Sequence, residues 1–148
     1  MRKLICTVFI LIYLMSISIA HAQLSRNKLG WYCGSKKDWE FAQVVIGESI
    51  IVNNFIFKEK GAFLADRLRV IEVSYSVTNK ASSTIEFNSQ IVGMSEDGLP
   101  VFALAAKPMM SILSELNTDT ISGNSYYYDN SSPLKNSSQI CINFIADI

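Results

Sequence analysis

The chain reads as an all-β protein, an antiparallel β-sandwich of about seven strands with at most one short helix. Three observations predict it. Apolar and polar residues alternate strictly over 68–78, the period of a strand with one face on a core and one in water. Turn-forming clusters such as Asn79-Lys80-Ala81-Ser82-Ser83 and Glu96-Asp97-Gly98 separate the apolar runs at short intervals. Only 108–116 has helical spacing, whereas a parallel sheet needs repeated helical crossovers.

The first element is an expected export signal over 1–22. Arg2 and Lys3 give a positive start, 4–19 is an apolar run, and Ala20-His21-Ala22 supplies the small residues of a cleavage site before Gln23. The competing reading is a retained membrane anchor. Against it, the run is shorter than the roughly 20 residues of a span, and polar, turn-rich sequence follows. No cysteine stands at the cleavage point, as a lipoprotein signal requires. The remainder, 23–148, is 148 − 22 = 126 residues, the length of a single domain, with neither a repeat period nor a low-complexity linker. Cleavage removes His21, the only histidine, and Cys6, one of three cysteines.

Residues 23–37 form a mixed, turn-rich arm, with Gly30 and Gly34 around Trp31-Tyr32-Cys33. Strands are expected over 39–46, starting with the alternation Trp39, Phe41, and over 49–57, rich in Ile, Val and Phe. Lys58-Glu59-Lys60-Gly61 reads as the turn into 68–78, where Ile71, Val73, Tyr75 and Val77 share one face and Glu72, Ser74, Ser76 and Thr78 the other. Strand 84–94 aligns Ile85, Phe87 and Ile91. Asp97-Gly98 tolerates the positive φ of a hairpin tip, and 101–106 returns as its partner until Pro108. In 108–116, Met109, Ile112, Leu113 and Leu116 stand at i, i+3, i+4 and i+7, which predicts a short crossover helix with its stripe on the core. A methionine stripe is alternatively an adaptable binding face. Residues 117–123 are loop or short strand, 126–128 strand and 130–138 a polar loop. A last strand, 138–148, carries Ile140, Ile142 and Phe144 on one face and Cys141 on the other.

The stretch 73–102 resembles bacterial exported domains of the FxLYD type. The resembling residues are a strand ending in Val77-Thr78-Asn79, the small Ser82-Ser83, an apolar strand around Ile85 and Phe87, and the Glu96-Asp97-Gly98 tip before Pro100-Val101. The family's aromatic-Leu-Tyr-Asp sequence is replaced here by Val92-Gly93-Met94-Ser95. The resemblance implies an immunoglobulin-like fold and brings no catalytic residues.

Composition narrows the chemistry. The chain has 13 basic and 13 acidic residues, and losing Arg2 and Lys3 leaves 11 against 13, a net charge of −2. With no basic surplus, neither nucleic acid nor a membrane surface is an expected partner, and no later stretch inserts into a bilayer after cleavage. In an exported chain Cys33 and Cys141 read as one structural disulfide. A redox or metal pair lacks both a C-x-x-C and a histidine. Without histidine no Ser-His-Asp or Cys-His system can be built, and no phosphate-cradling glycine motif is present. Neither cofactor nor metal is expected.

Two patterns remain open. Glu72, Glu86, Glu96, Asp97, Asp119 and Asp129 could supply a carboxylate pair for a glycan hydrolase, and Asp97, Asp119 or Asp129 an oxygen ligand in a calcium or small-ligand module, although most fall on solvated faces or tips. Tyr126, Tyr127 and Tyr128 are consecutive, so they cannot all face one core. Exposed tyrosine suits recognition because it offers area plus a hydroxyl. The residues together favour a non-enzymatic periplasmic or secreted sandwich that binds another exported or envelope protein, as an immunity protein, an inhibitor or an accessory part of an envelope assembly.

Overall fold

The structure, a computed structural model, describes residues 24–61, 68–128 and 132–147; the expected leader and its cleavage point lie outside them. Ten strands form two antiparallel sheets. They are β1 (Ser25–Arg26), β2 (Trp31–Gly34), β3 (Val44–Ile46), β4 (Ile50–Gly61), β5 (Leu68–Asn79), β6 (Ile85–Met94), β7 (Pro100–Ala106), β8 (Ile112–Leu113), β9 (Thr118–Tyr128) and β10 (Gln139–Asp147). Sheet A has the order β1-β2-β10-β6-β7, with β8 also on β6, and sheet B the order β3-β4-β5-β9. Two short helices, α1 (Lys36–Glu40) and α2 (Pro133–Asn136), complete it. The count exceeds seven because the arm contributes β1 and β2, and 108–116 contributes β8.

The chain passes between sheets from β2 to β3, from β5 to β6, from β8 to β9 and from β9 to β10; β5 lies beside β9 and β6 beside β10. Those neighbours are the B–E and C–F pairs of an immunoglobulin-like sandwich. The place beside β10 is filled by β2, from the opposite end of the chain, and there Cys33 stands directly across from Cys141. The two form a disulfide with a Cα–Cα distance of 4.1 Å.

Three sequence expectations change. Trp39 lies in α1 rather than a strand, because Ser35 and Asp38 close a capping box: the Ser35 hydroxyl accepts the Asp38 N–H, and the Asp38 carboxylate accepts the Ser35 N–H at 2.9 Å. The Ser35 hydroxyl, which also donates to the Asp38 carboxylate at 2.6 Å, and the Ser35 N–H hold that carboxyl below its ordinary pKa. The helix seats Trp39 in the core, where Nε1–H donates to the Ile140 carbonyl at 2.8 Å, and leaves Phe41 exposed. The supposed turn at 58–61 is strand, because its charges pair across to β5: Lys60 meets Glu72 at 2.6 Å and lowers that carboxyl's pKa. In β4 a bulge adds one residue between Asn53 and Ile56; Asn54 takes φ +57°, and the inward phase shifts from Ile50 and Val52 to Phe55 and Phe57. Finally, 108–116 is not a helix. β7 covers β6 only over Ser89–Met94, and the exposed N–H and C=O groups at Ile85–Glu86 are paired instead by β8.

The period-two expectations match the structure. Ile71, Val73, Tyr75 and Val77 are buried, as are Ile85, Phe87, Ile91, Ile140 and Ile142. Phe144 lies at the centre of an aromatic cluster, its ring about 6 Å from those of Tyr75 and Phe87 and close to Trp39 and Phe55. The buried Tyr75 hydroxyl bonds Ser89 Oγ, which donates to the Ala106 carbonyl at 3.1 Å. Burial pushes the Tyr75 phenol well above its ordinary pKa, against a smaller opposing effect of the Ser89 bond.

One flank of the sandwich is sewn shut. At Gly123 of β9 an added Cβ would lie 2.2 Å from the Ala105 carbonyl oxygen of β7, so only glycine allows this approach. Next to it, the Tyr127 hydroxyl accepts the Ala103 N–H at 3.0 Å and donates to the Ala103 carbonyl at 3.3 Å, satisfying the free edge of β7.

Candidate functional site

The β7–β9 connection presents the two most exposed large apolar side chains among the described residues, Met109 and Met110. Met109, Met110 and Leu116 are 90%, 82% and 73% exposed, and Ile112 is 40% exposed; of the expected stripe only Leu113 is buried. The core-packing expectation for Met109, Ile112 and Leu116 is therefore overturned: Ile112 and Leu113 alternate out and in as strand residues, and Met109 and Leu116 sit in the turns on either side. Met110, Ser111 and Leu116 hold φ of +58°, +61° and +49°. Each such conformation costs a non-glycine residue roughly 1–2 kcal/mol, so the surroundings must impose it.

Asn79, fully buried at the end of β5, anchors the Ser114–Asn117 side of this connection. Its Nδ2 donates to the Ser83 and Ser114 carbonyls at 2.8 and 3.1 Å, and its Oδ1 accepts the Ala81 N–H at 2.9 Å. Its backbone N–H donates to the Asn117 carbonyl at 2.8 Å, and the Leu116 N–H donates to the Ala81 carbonyl at 3.1 Å. A buried amide with these partners clamps the base of the loop while its apolar tip faces water.

The outer faces of the sheets differ in charge. Sheet B exposes Lys58, Lys60 and Glu72 on β4 and β5, then serines, threonines and asparagines out to β9. On sheet A, β6 turns out Glu86, Asn88, Gln90, Val92 and Met94, and β10 turns out Gln139, Cys141, Asn143, Ile145 and Asp147. β2 adds Trp31 and Cys33, and β7 adds Ala103 and Ala105. The only charges on these four strands' outward positions are Glu86 and Asp147, register partners at one end. At the other end the disulfide floors an apolar groove of about 250 Å³ lined by Leu29, Trp31, Val92 and Met94.

The tyrosine triplet is divided. Tyr126 is 60% exposed on the outer face of sheet B, opposite Val70. Tyr127 points the other way, half-buried, its hydroxyl occupied by Ala103. Tyr128 pairs by its backbone with Leu68, and its side chain lies outside the described residues. Beside the bridge, Trp31 lies on the disulfide side of β2. Tyr32 faces inward to Phe144 at 6.0 Å, with Arg26 over its ring.

The candidate carboxylates are scattered. Glu72 is tied to Lys60, Glu96 and Asp97 form the β6–β7 tip, Asp119 accepts from Asn117 Nδ2 at 3.1 Å, and Asp129 lies outside the described residues. A cleft of about 580 Å³ gathers Lys36, Arg69 and Lys135 around Phe57 and Leu134. Glu59 is its one carboxylate among the described residues, accepting the Leu134 N–H at 3.1 Å. No helix among the described residues is long and apolar enough to cross a membrane.

No family model, curated protein or solved structure matches the chain.

Proposed function

We propose that this chain is an exported, non-enzymatic β-sandwich that binds another exported or envelope protein, acting in the periplasm or outside the cell as an inhibitor, an immunity protein or an accessory of an envelope assembly. The clamped, apolar β7–β9 loop carries the reading. An ordered loop with three left-handed non-glycine residues and exposed Met109, Met110 and Leu116 is costly for a chain that binds nothing, and thioether side chains adapt to a partner's surface. Export is supported by the leader pattern and by the formed Cys33–Cys141 bridge.

The test places a photo-crosslinking side chain at Met110, and in a control at Ser74 on sheet B, in the native host. A discrete adduct from Met110 alone, lost when Met109 and Leu116 become serine, is the expected result; equal adducts from both positions, or none, reject it. The mass of the purified chain tests export, since a processed chain begins at Gln23. A second reading, a small-ligand module, is favoured by the cationic cleft of Lys36, Arg69 and Lys135, whose size suits an anionic ligand. Thermal-shift measurement with phosphate and uronate tests it against a K36E/K135E chain.

A further inference from the structure

We infer that the cleft of Lys36, Arg69 and Lys135 holds a small zwitterion, a free amino acid or a short unblocked peptide, whose carboxylate meets the cations and whose ammonium meets Glu59. The inference rests on the second reading above, that this cleft is a ligand site, and is independent of the β7–β9 loop.

Register places the opposite charges. β4 and β5 pair Phe57 with Val73, Glu59 with Ile71 and Gly61 with Arg69. Phe57, Val73 and Ile71 are buried, so this face points between the sheets, and its last two side chains are Glu59 and Arg69. The inner face of sheet B thus turns from apolar to ionic at the mouth of the sandwich. Glu59 and Arg69 are diagonal neighbours, roughly 7–8 Å apart at the backbone and within reach of each other. The ion pair among the described residues is nevertheless Lys60–Glu72, on the outer face.

Both groups are held for a third party. Ser132 gives α2 no side-chain cap, and Glu59 Oε2 accepts the Leu134 N–H at 3.1 Å in its place. That bond fixes the direction of the carboxylate and leaves it acceptor capacity for an ammonium. The Arg69 guanidinium lies beside Gly61, where an added Cβ would stand 3.8 Å from Nη1. With no side chain at 61 to cover it, the guanidinium keeps a fork of donors for a carboxylate. α1 follows β2 and α2 precedes β10, so Lys36 and Lys135 bring their charges from the sheet A strands to the same cleft.

This mixture of signs selects the ligand. A purely anionic ligand gains from three cations but is repelled by Glu59. A ligand that carries an ammonium as well as a carboxylate turns that repulsion into a charge-assisted bond. Phe57 and Leu134 add apolar wall for its carbon atoms, and about 580 Å³ falls within the roughly 300–1,000 Å³ of ligand pockets.

Isothermal titration calorimetry on the processed, oxidised chain at low salt tests the inference. The probes are L-alanine, L-alanyl-L-alanine and N-acetyl-L-alanyl-L-alanine, which lacks the ammonium; phosphate and galacturonate probe the anionic reading alone. At least one free zwitterion should bind about 10-fold or more tighter than the acetylated dipeptide, the worth of one charge-assisted hydrogen bond, and which of the two binds distinguishes amino acid from peptide. Glu59→Gln keeps an oxygen for the Leu134 N–H and should erase that preference, whereas Arg69→Gln should weaken free and acetylated dipeptides alike by about 10-fold or more. Far-UV circular dichroism confirms that each variant folds. The comparison of free and acetylated ligands is made on the unaltered chain and stays decisive if Glu59→Gln does not fold. Equal affinity for the free and acetylated dipeptides overturns the inference, and so does a preference that survives Glu59→Gln. Binding of phosphate or galacturonate without either zwitterion also overturns it and leaves the second reading standing; a chain that binds none of the probes removes both.

Discussion

Removing the Cys33–Cys141 bridge separates what the covalent staple contributes from what packing contributes. Both half-cystines stand on the outer face and are partly exposed, so a C33A/C141A chain opens no core cavity. The register pairs of β2 with β10 persist, and Tyr32 still packs on Phe144. The effect therefore falls on the denatured chain, which is freed from a loop closed over 108 residues. The chain-entropy relation gives about 4.8 kcal/mol for that length, a large share of a typical 5–15 kcal/mol. With a urea slope near 1.5 kcal/mol per molar, the midpoint should fall by about 3 M, and the melting temperature by roughly 15–25 °C. The assay is urea unfolding followed by tryptophan fluorescence for the oxidised chain, the reduced chain and C33A/C141A. The two thiol-free or reduced samples should agree, with a slightly steeper slope because their denatured states are less compact. A loss below about 1.5 kcal/mol at unchanged slope would refute the reasoning. It would mean that the β1–β2 arm opens separately from the rest, or that the denatured chain keeps its ends together without the bridge.

Three further outcomes follow from the interior. Trp39→Phe strands the Ile140 carbonyl and thins the packing on Phe55, and should cost about 2–4 kcal/mol in urea unfolding. Gly123→Ala drives a methyl group into the Ala105 carbonyl, a backbone atom that cannot swing aside. It should cost about 1–3 kcal/mol and speed hydrogen exchange at the Ala103 N–H, which Tyr127 guards. For Tyr75 the folded chain keeps a phenolic proton that the denatured chain releases. Stability should therefore be insensitive to this group below about pH 10 and fall above it by up to about 1.4 kcal/mol per pH unit, a slope that Tyr75→Phe should reduce in denaturation at pH 10–12.

Legibility in the sequence followed the range of the deciding interaction. β5, β6, the Asp97-Gly98 tip and β10 were readable because alternation and turn chemistry are local, and burial of one face enforces them. The bridge was readable from the even count of cysteines beyond the expected leader. α1 was missed although its signal was present: Ser35 and Asp38 stand three apart, and weighing that spacing above the Trp39–Phe41 alternation would have found the helix. The strand over 58–61 was missed because lysine and glutamate look like a turn until their cross-strand partners are known. The Asn54 bulge left only a doubled asparagine as its trace.

The surfaces were less legible than the core, and for a physical reason. A consecutive aromatic triplet attracts notice, yet alternation alone sends Tyr126 and Tyr127 to opposite faces, and the hydroxyl of Tyr127 is engaged in holding β7 against β9. The helical spacing of Met109, Ile112, Leu113 and Leu116 argued for a buried stripe, but the segment's backbone is set by two distant demands, the bare edge of β6 at Ile85 and the buried amide of Asn79. Once β8 answers the first and the amide clamps the second, the residues between them have nowhere inward to point. The outer face of sheet A was invisible for the same cause: its residues come from four strands distant in sequence, and the alternation along any one of them does not name its neighbours. A surface assembled this way has to be read from register, because only pairing says which neutral residues become neighbours, and it is that neighbourhood rather than any one residue that decides what the face can touch.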